Sequence, residues 1–320
     1  MATAPGPGGA AVASVGMSLP ETVVDSHEIE QRLGLVPDWI ERRTGIRARR
    51  VAAEHERLET HATLAATQAL ARAGVEGKDL DLVLVATTTS DELMPHAAPL
   101  VATALGATRA GAFDIGAACT GFLSALATGV SMIDAGRASA IVVIGADFMS
   151  RITDPQDRST AAVFADGAGA VVLLATGEST RIGPVVLGAR GDDAIRVPRD
   201  TAKIEMRGHE TYKEAVHYLS ISTEQAVAAA GVALDQIDLF VFHQANGRIL
   251  AAVGERLGVN PQRVVDCIGE FGNTSAATLP LALAHSVEGG RLRDGDLVLL
   301  GAFGAGFTWG ATVLEWGVAG

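Results

Sequence analysis

Cysteine is scarce here, with two residues in a chain of 320. Two thiols do not make a disulfide framework, so a reducing compartment is expected. Aromatic residues are also few, at 4% against 48% apolar residues overall. The core must therefore be built from Ala, Val, Leu and Ile. Positive charge is in deficit, and the net charge of −12 argues against nucleic acid as the main partner. No apolar run is long enough to span a membrane. The Pro/Gly/Ala-rich start, Met1 to Gly9, lacks the basic region of a signal peptide. These absences predict a soluble, cytoplasmic protein with a short flexible lead-in over 1–9. The length allows one large domain or two fused ones.

The chain contains its own repeat. Gln68-Ala69-Leu70-Ala71-Arg72-Ala73-Gly74-Val75 aligns with Gln225-Ala226-Val227-Ala228-Ala229-Ala230-Gly231-Val232, at a spacing of 157. Asp81-Leu82-Val83-Leu84-Val85 aligns with Asp238-Leu239-Phe240-Val241-Phe242 at the same spacing. Each unit reads as a helix closed by a glycine, a short loop and an apolar strand. A further match, Ile141-Val142-Val143-Ile144-Gly145-Ala146 with Leu297-Val298-Leu299-Leu300-Gly301-Ala302, falls at 156. Two duplicated α/β halves follow, with expected bounds of 10–178 and 179–320. Continuous apolar strands need cover on both faces, so a layered α/β/α/β/α core is expected. A pseudo-two-fold would bring the corner carrying Cys119 against the one carrying Asn273.

Cys119 lies in Ala112-Phe113-Asp114-Ile115-Gly116-Ala117-Ala118-Cys119-Thr120-Gly121, where an apolar strand gives way to a helical pattern. A thiol at a helix N-terminus meets free N–H groups, which favour thiolate, and the small neighbours admit a substrate. The alternative is a buried structural cysteine. His243 directly follows the strand 238–242, before a helix starting near Asn246. Asn273, in Phe271-Gly272-Asn273-Thr274-Ser275, marks another small-residue corner, where it or Thr274 also suits an N-cap. Gly301-Ala302-Phe303-Gly304-Ala305-Gly306 can aim backbone N–H groups at a negative oxygen, and it does not fit a dinucleotide-binding turn. Asp166-Gly167-Ala168-Gly169-Ala170 reads as backbone geometry before a strand at 171–175. Trp39 to Arg50 holds five arginines and one glutamate, which suits a phosphate-bearing ligand or an acidic partner. Cys267, in the strand-like run 264–268, reads as structural.

Together these motifs resemble the β-ketoacyl-acyl carrier protein synthase III family, on the thiolase-like fold. They include Trp39-Ile40 with Arg43-Thr44-Gly45-Ile46-Arg47, Ala117-Ala118-Cys119, Asp157-Arg158-Ser159-Thr160, His243-Gln244-Ala245-Asn246, Gly272-Asn273-Thr274-Ser275 and Gly304-Ala305-Gly306-Phe307. The resemblance implies a catalytic triad of Cys119, His243 and Asn273. Cys119 would take an acyl group from acyl-CoA, with an oxyanion hole at the N–H groups of Cys119 and Ala305. Condensation with malonyl-acyl carrier protein and loss of CO2 would then give a 3-ketoacyl thioester, starting a fatty acid or priming a polyketide. His243 and Asn273 would hold the thioester oxygen, and Phe303 would wall the leaving carboxylate. The family further implies CoA contacts at Trp39, Arg43, Arg158, Gly208 and Asn246, and carrier-protein docking at Arg248. It also implies a homodimer in which Met94 caps the partner's acyl pocket. Neither a metal nor a resident cofactor is implied, since CoA thioesters are substrates. The stretch 191–206 is shorter than in typical members, and Glu255 beside Arg256 makes the docking helix less basic than usual. Competing readings are a non-decarboxylating acyltransferase on the same fold, a Cys–His–Asn hydrolase and a non-catalytic acyl-CoA scaffold.

Overall fold

Apolar residues run unbroken along the strands, so each sheet must be covered on both faces. The computed structural model, which describes residues 9–317, covers them with helices. The first half runs β1 (Ala10–Ser18), β2 (Val23–Asp25), α1 (Ser26–Leu33), α2 (Trp39–Thr44), β3 (Ala48–Arg50), α3 (Leu58–Ala73), β4 (Leu82–Ala86), α4 (Ala97–Ala104), β5 (Gly111–Ile115), α5 (Gly121–Asp134), β6 (Ala140–Phe148) and β7 (Asp166–Ala175). The second runs β8 (Val186–Ala189), β9 (Ile195–Arg196), β10 (Glu205–Met206), α6 (Gly208–Ala230), β11 (Leu239–Phe242), α7 (Gly247–Leu257), α8 (Ile268–Phe271), α9 (Thr278–Glu288), β12 (Leu297–Gly304) and β13 (Thr308–Glu315).

Five strands form one sheet in the order β1-β7-β6-β4-β5, and four form another in the order β11-β12-β13-β8. The side-chain alternation of a strand then sorts residues into layers. Leu82, Leu84 and Ala86 of β4 pack with Phe122 and Leu123 of α5, Leu279 and Leu281 of α9, and Val298 and Leu300 of β12. Val83 and Val85 face the opposite way, onto Ala62, Ala66 and Ala69 of α3 and Val101 of α4. In the second sheet Phe240, Phe242 and Leu299 pack on Leu219 of α6 and Val253 of α7. The result is the layered α/β/α/β/α core, with α5 and α9 between the sheets. Each fully buried aliphatic side chain there contributes roughly 1.5–3 kcal/mol.

The duplication is visible in the register. Gly74 and Gly231 close α3 and α6 at φ 66° and 69°, left-handed values that glycine adopts freely. Leu82 pairs with Ile141 and Leu239 pairs with Val298, so the third matched segment recurs at 157, not 156. The one-residue slip arises because consecutive buried aliphatic residues match equally well in either register.

Three other expectations change. Asp166 begins β7 instead of preceding the strand, and its carboxylate accepts Ala52 N–H at 2.7 Å, Ser150 N–H at 2.8 Å and Ser150 Oγ–H at 2.6 Å. It is a buried clamp as well as part of a glycine-rich backbone. The run 264–268 is not a strand: Val264 makes one isolated bridge to Phe240, and α8 begins at Ile268. The expected tail lies outside the described residues except for Gly9, which is buried and donates its N–H to Glu178 O at 2.8 Å.

Candidate active site

Two corners, each leading into a helix, meet between the sheets. After β5, a single 3-10 turn over Ala118–Thr120 leads into α5, and Ala118 sits at φ 45°. In the second half, a 3-10 turn over Ser275–Ala277 leads into α9, and Ser275 sits at φ 52°. Non-glycine residues rarely hold positive φ, so surrounding packing must hold these two. The corners supply that packing to each other: a Cβ on Gly121 would lie 3.6 Å from Ala276 Cβ.

Cys119 sits in the first corner. Its thiol is pushed up to about 11, chiefly by burial and further by nearby Asp147. The Ser275 hydroxyl and the N–H groups of Ala305 and Cys119 pull the other way, but less. The expectation of a resting thiolate is therefore corrected. Desolvation at this depth outweighs the helix end, and the thiol is neutral near pH 7.

His243 directly follows β11 and is 2% exposed. Burial holds its imidazole down at about 3, so the ring is neutral near pH 7 and carries one N–H as a donor. Its backbone N–H donates to Gly301 O at 2.8 Å, and Nδ1 lies 2.6 Å from Thr278 Oγ1. Asn273 precedes the second corner. Its Oδ1 accepts Ser275 N–H at 2.9 Å, so the side chain caps the turn. With that oxygen engaged, the amide NH2 remains as a donor for the cavity. Its backbone is fixed on both sides, by Asn273 N–H to Val163 O at 3.1 Å and Ala165 N–H to Asn273 O at 2.9 Å.

Cys119, His243 and Asn273 line one cavity of about 1100 Å³, together with Phe303 and Ala305. Trp39, Arg43, Arg158, Gly208, Asn246 and Arg248 line the same cavity. The Arg43 guanidinium lies 4.8 Å from the centre of the Trp39 ring, and Arg248 lies 5.7 Å from that of Tyr212. Asn246 caps α7, its Oδ1 accepting Arg248 N–H at 2.9 Å. Met94 is not among the lining residues and is 83% exposed. Arg49, from the same basic cluster, is buried instead of facing a ligand, and donates to Ala161 O and Ser26 Oγ at 3.0 and 2.7 Å.

Several lining or supporting residues were missed. Met149, Ile152, Phe164, Ile195, Ile204 and Met206 line the cavity as an apolar group. Ser275, Thr278 and Asp147 support the corner. Asp147 is fully buried on β6, accepting Thr88 N–H at 2.8 Å, Thr89 Oγ1–H at 2.8 Å and Ala276 N–H at 3.0 Å. The only sequence signal for the corner residues was the repeat itself, extended from strands to turns.

Two duplicated α/β halves that deliver a cysteine, a histidine and an asparagine to one cavity define a cysteine-dependent acyl-transfer enzyme on a thiolase-like fold. The family model described as 3-oxoacyl-[acyl-carrier-protein] synthase III matches residues 113–191, and the C-terminal model of the same name matches 227–316. A beta-ketoacyl-[acyl-carrier-protein] synthase III 2 from Streptomyces coelicolor is 46% identical over 316 residues, covering 97% of this chain and 95% of that protein. The crystal structure of 3-oxoacyl-(acyl carrier protein) synthase III from Pseudomonas aeruginosa superposes with a TM-score of 0.92 at 41% identity, covering 98% of this chain and 100% of that one. The priming beta-ketosynthase of the R1128 polyketide pathway gives a TM-score of 0.94 at 32% identity, covering 99% and 98%. The chain belongs to the 3-oxoacyl-[acyl-carrier-protein] synthase III family.

Proposed function

We propose that this enzyme loads an acyl group from acyl-CoA onto Cys119 and condenses it with malonyl-acyl carrier protein. One observation carries the reading. A neutral thiol, a neutral imidazole and a primary amide share one cavity, and the amide has its oxygen tied back. Such a set lets sulfur attack a thioester and then offers neutral donors to an enolate oxygen.

In loading, the Cys119 sulfur bonds to the acyl carbon, the CoA sulfur leaves, and the thiol proton passes to the departing thiolate. The Cys119 and Ala305 N–H groups hold the intermediate oxygen. In condensation, the malonyl C–CO2 bond breaks and its electrons form an enolate steadied by His243 and Asn273. The enolate carbon attacks the acyl group, the sulfur–carbon bond breaks, and Cys119 leaves as thiolate and takes a proton from solvent. Phe303, 3% exposed, gives the leaving carboxylate an apolar wall.

The apolar group around Met149, Phe164 and Ile204 suits the acyl chain. Trp39, Arg43 and Arg158 suit the CoA nucleotide, Gly208 and Asn246 its pantetheine arm, and Arg248 the carrier protein. The enzyme acts in the cytoplasm as a homodimer without a resident cofactor. Supporting this, Cys119 and Cys267 are unpaired, β5 is an edge strand, and Phe113 and Met94 are exposed. Among the described residues no helix is long and apolar enough to cross a membrane.

The test mixes purified enzyme with a panel of acyl-CoAs and malonyl-acyl carrier protein, following CO2 and product mass together. CO2 with a 3-ketoacyl product two carbons longer is expected. Acyl-enzyme without CO2 would overturn the condensing reading and leave the transfer-only one.

A further inference from the structure

The oxyanion hole proposed above uses two N–H groups that belong to different halves of the chain. Cys119 lies in the 3-10 turn before α5, and Ala305 lies in the turn between β12 and β13. Both N–H groups reach the Cys119 sulfur, so the two turns converge on one point. Such a hole works only while both donors stay aimed at the place where negative oxygen develops. Packing sets one limit on the gap: a Cβ on Gly304 would fall 3.0 Å from Cys119 N. Contact of that kind resists closer approach but does not stop the turns drifting apart.

A pair of hydroxyls supplies the tie. Thr120 Oγ1, on the residue after Cys119, lies 2.8 Å from Thr308 Oγ1, across 188 positions of sequence. The Thr308 hydroxyl in turn donates to the carbonyl oxygen of Ala305 at 3.0 Å. Thr120 Oγ1 also lies 2.8 Å from Ala117 O, but that oxygen already accepts the Thr120 backbone N–H at 3.1 Å. The single Thr120 hydroxyl proton can therefore go to Thr308 without orphaning a carbonyl. One directed chain results, from the Thr120 hydroxyl to the Thr308 hydroxyl to the Ala305 carbonyl. On its other side the same loop is pinned by Arg190 N–H to Phe307 O at 2.8 Å and Asp192 N–H to Gly306 O at 2.6 Å.

We infer that Thr120 and Thr308 are positioning residues whose hydroxyl bridge fixes the separation of the Cys119 and Ala305 N–H groups and so sets the oxyanion hole. The inference rests on the loading step proposed above, in which this hole holds the intermediate oxygen. Thr120 is 1% exposed and does not line the cavity, so it acts on substrate only through Thr308 and the two turns. Charge gathers on the thioester oxygen only as the sulfur adds. The bridge therefore contributes to the rate of the bound complex and little to the binding of CoA.

Thr120→Val keeps the side-chain shape and removes the hydroxyl. Acyl loading is followed by intact mass in single turnovers, over a range of concentrations of whichever acyl-CoA the wild type takes up fastest. The limiting rate should fall about tenfold, the equivalent of one hydrogen bond. The half-saturating concentration should stay within about twofold of wild type. Thr120→Ser should restore the rate. Thr308→Val should slow loading at least as much, since it also removes the donor to Ala305 O, and adding Thr120→Val to it should slow loading no further. A wild-type limiting rate in Thr120→Val, a loss confined to half-saturation, no rescue by serine, or additive losses in the double variant overturns the inference. Should Thr308→Val not fold, the two Thr120 variants still decide. Wild-type enzyme that takes no acyl group from any CoA thioester would sink the proposed function and this inference with it, whereas equal loading by wild type and Thr120→Val sinks the inference alone.

Discussion

Replacing Gly304 by alanine tests whether Cys119 is held in place from behind. Gly304 ends β12 and its backbone lies against the Cys119 turn. An added Cβ would fall 2.8 Å from Cys119 Cβ, 3.0 Å from its N and 3.3 Å from its Cα. Ordinary contact begins near 3.4 Å, so about half an ångström must be found. No flexible side-chain end is available to give way. The opposing atoms belong to a turn whose Ala118 already holds φ 45°. Overpacking of this kind costs about 1–3 kcal/mol of stability. Misplacing a nucleophile by about 1 Å costs on the order of a hundredfold in rate. Gly304→Ala should therefore stay folded with a lowered melting temperature and load acyl-CoA about 10–100 times more slowly. Intact-mass time courses of the acyl-enzyme, normalised to folded protein, measure this. Loading at the wild-type rate would refute the claim that this contact positions Cys119.

Alkylation of Cys119 by iodoacetamide should keep accelerating as pH rises toward 10, because the thiol titrates near 11. Cys267, 3% exposed and pushed up to about 12, should stay unlabelled in peptide maps; a Cys119 rate plateau below pH 8 would contradict this reading. His243 is held at about 3 in the fold against 6.5 unfolded, so the unfolded chain takes its proton first as pH falls. Stability is thus lost from pH 6.5 downward, by about 2 kcal/mol at pH 5. The urea midpoint of His243→Gln should change less than that of wild type between those values, and parallel curves would refute it. A Cβ on Gly145 would lie 2.3 Å from the backbone oxygen of Ala276, which cannot swing aside. Gly145→Ala should cost more than about 3 kcal/mol in urea unfolding, and a midpoint near wild type would show that the corner yields.

Features written locally were legible in the sequence. The helix–glycine–strand unit repeated with enough identity to reveal the duplication, and Cys119, His243 and Asn273 each stood at an apolar strand's end or a small-residue corner. What depended on distant contacts was not legible. The strand register slipped by one residue because Ile141–Ile144 and Leu297–Leu300 are interchangeable as apolar runs. Burial reversed the titration expected of Cys119, since depth is a property of two sheets and not of a turn. Thr278 reads as an ordinary helix-start residue until the fold brings it to His243, 35 positions away. Arg49 looked like part of a solvated or ligand-binding cluster, yet β3 carries it under the main-chain oxygen of Ala161.

The duplication also explains how two corners built alike come to differ in their surroundings. At the spacing of 157 that relates the halves, Ala118 corresponds to Ser275, Cys119 to Ala276, and Asp147 to Gly304. Ala118 and Ser275 share the same strained φ, so the two turns are built alike. Their surroundings differ. In the second half, the Asp147 carboxyl group takes the Ala276 N–H at 3.0 Å and stops that corner with a buried acceptor that Thr88 and Thr89 also donate to. In the first half, glycine stands where the carboxylate would be. Gly304 brings no acceptor to the Cys119 N–H and leaves that group, with the Ala305 N–H, to the sulfur and to the oxygen of an incoming thioester. A single exchange, carboxylate against glycine, thus separates a corner whose N–H is capped by a side chain from one whose N–H is left open to the cavity. The buried acid is also close enough to raise the Cys119 thiol. The half that Asp147 stabilises therefore works against a resting thiolate in the other.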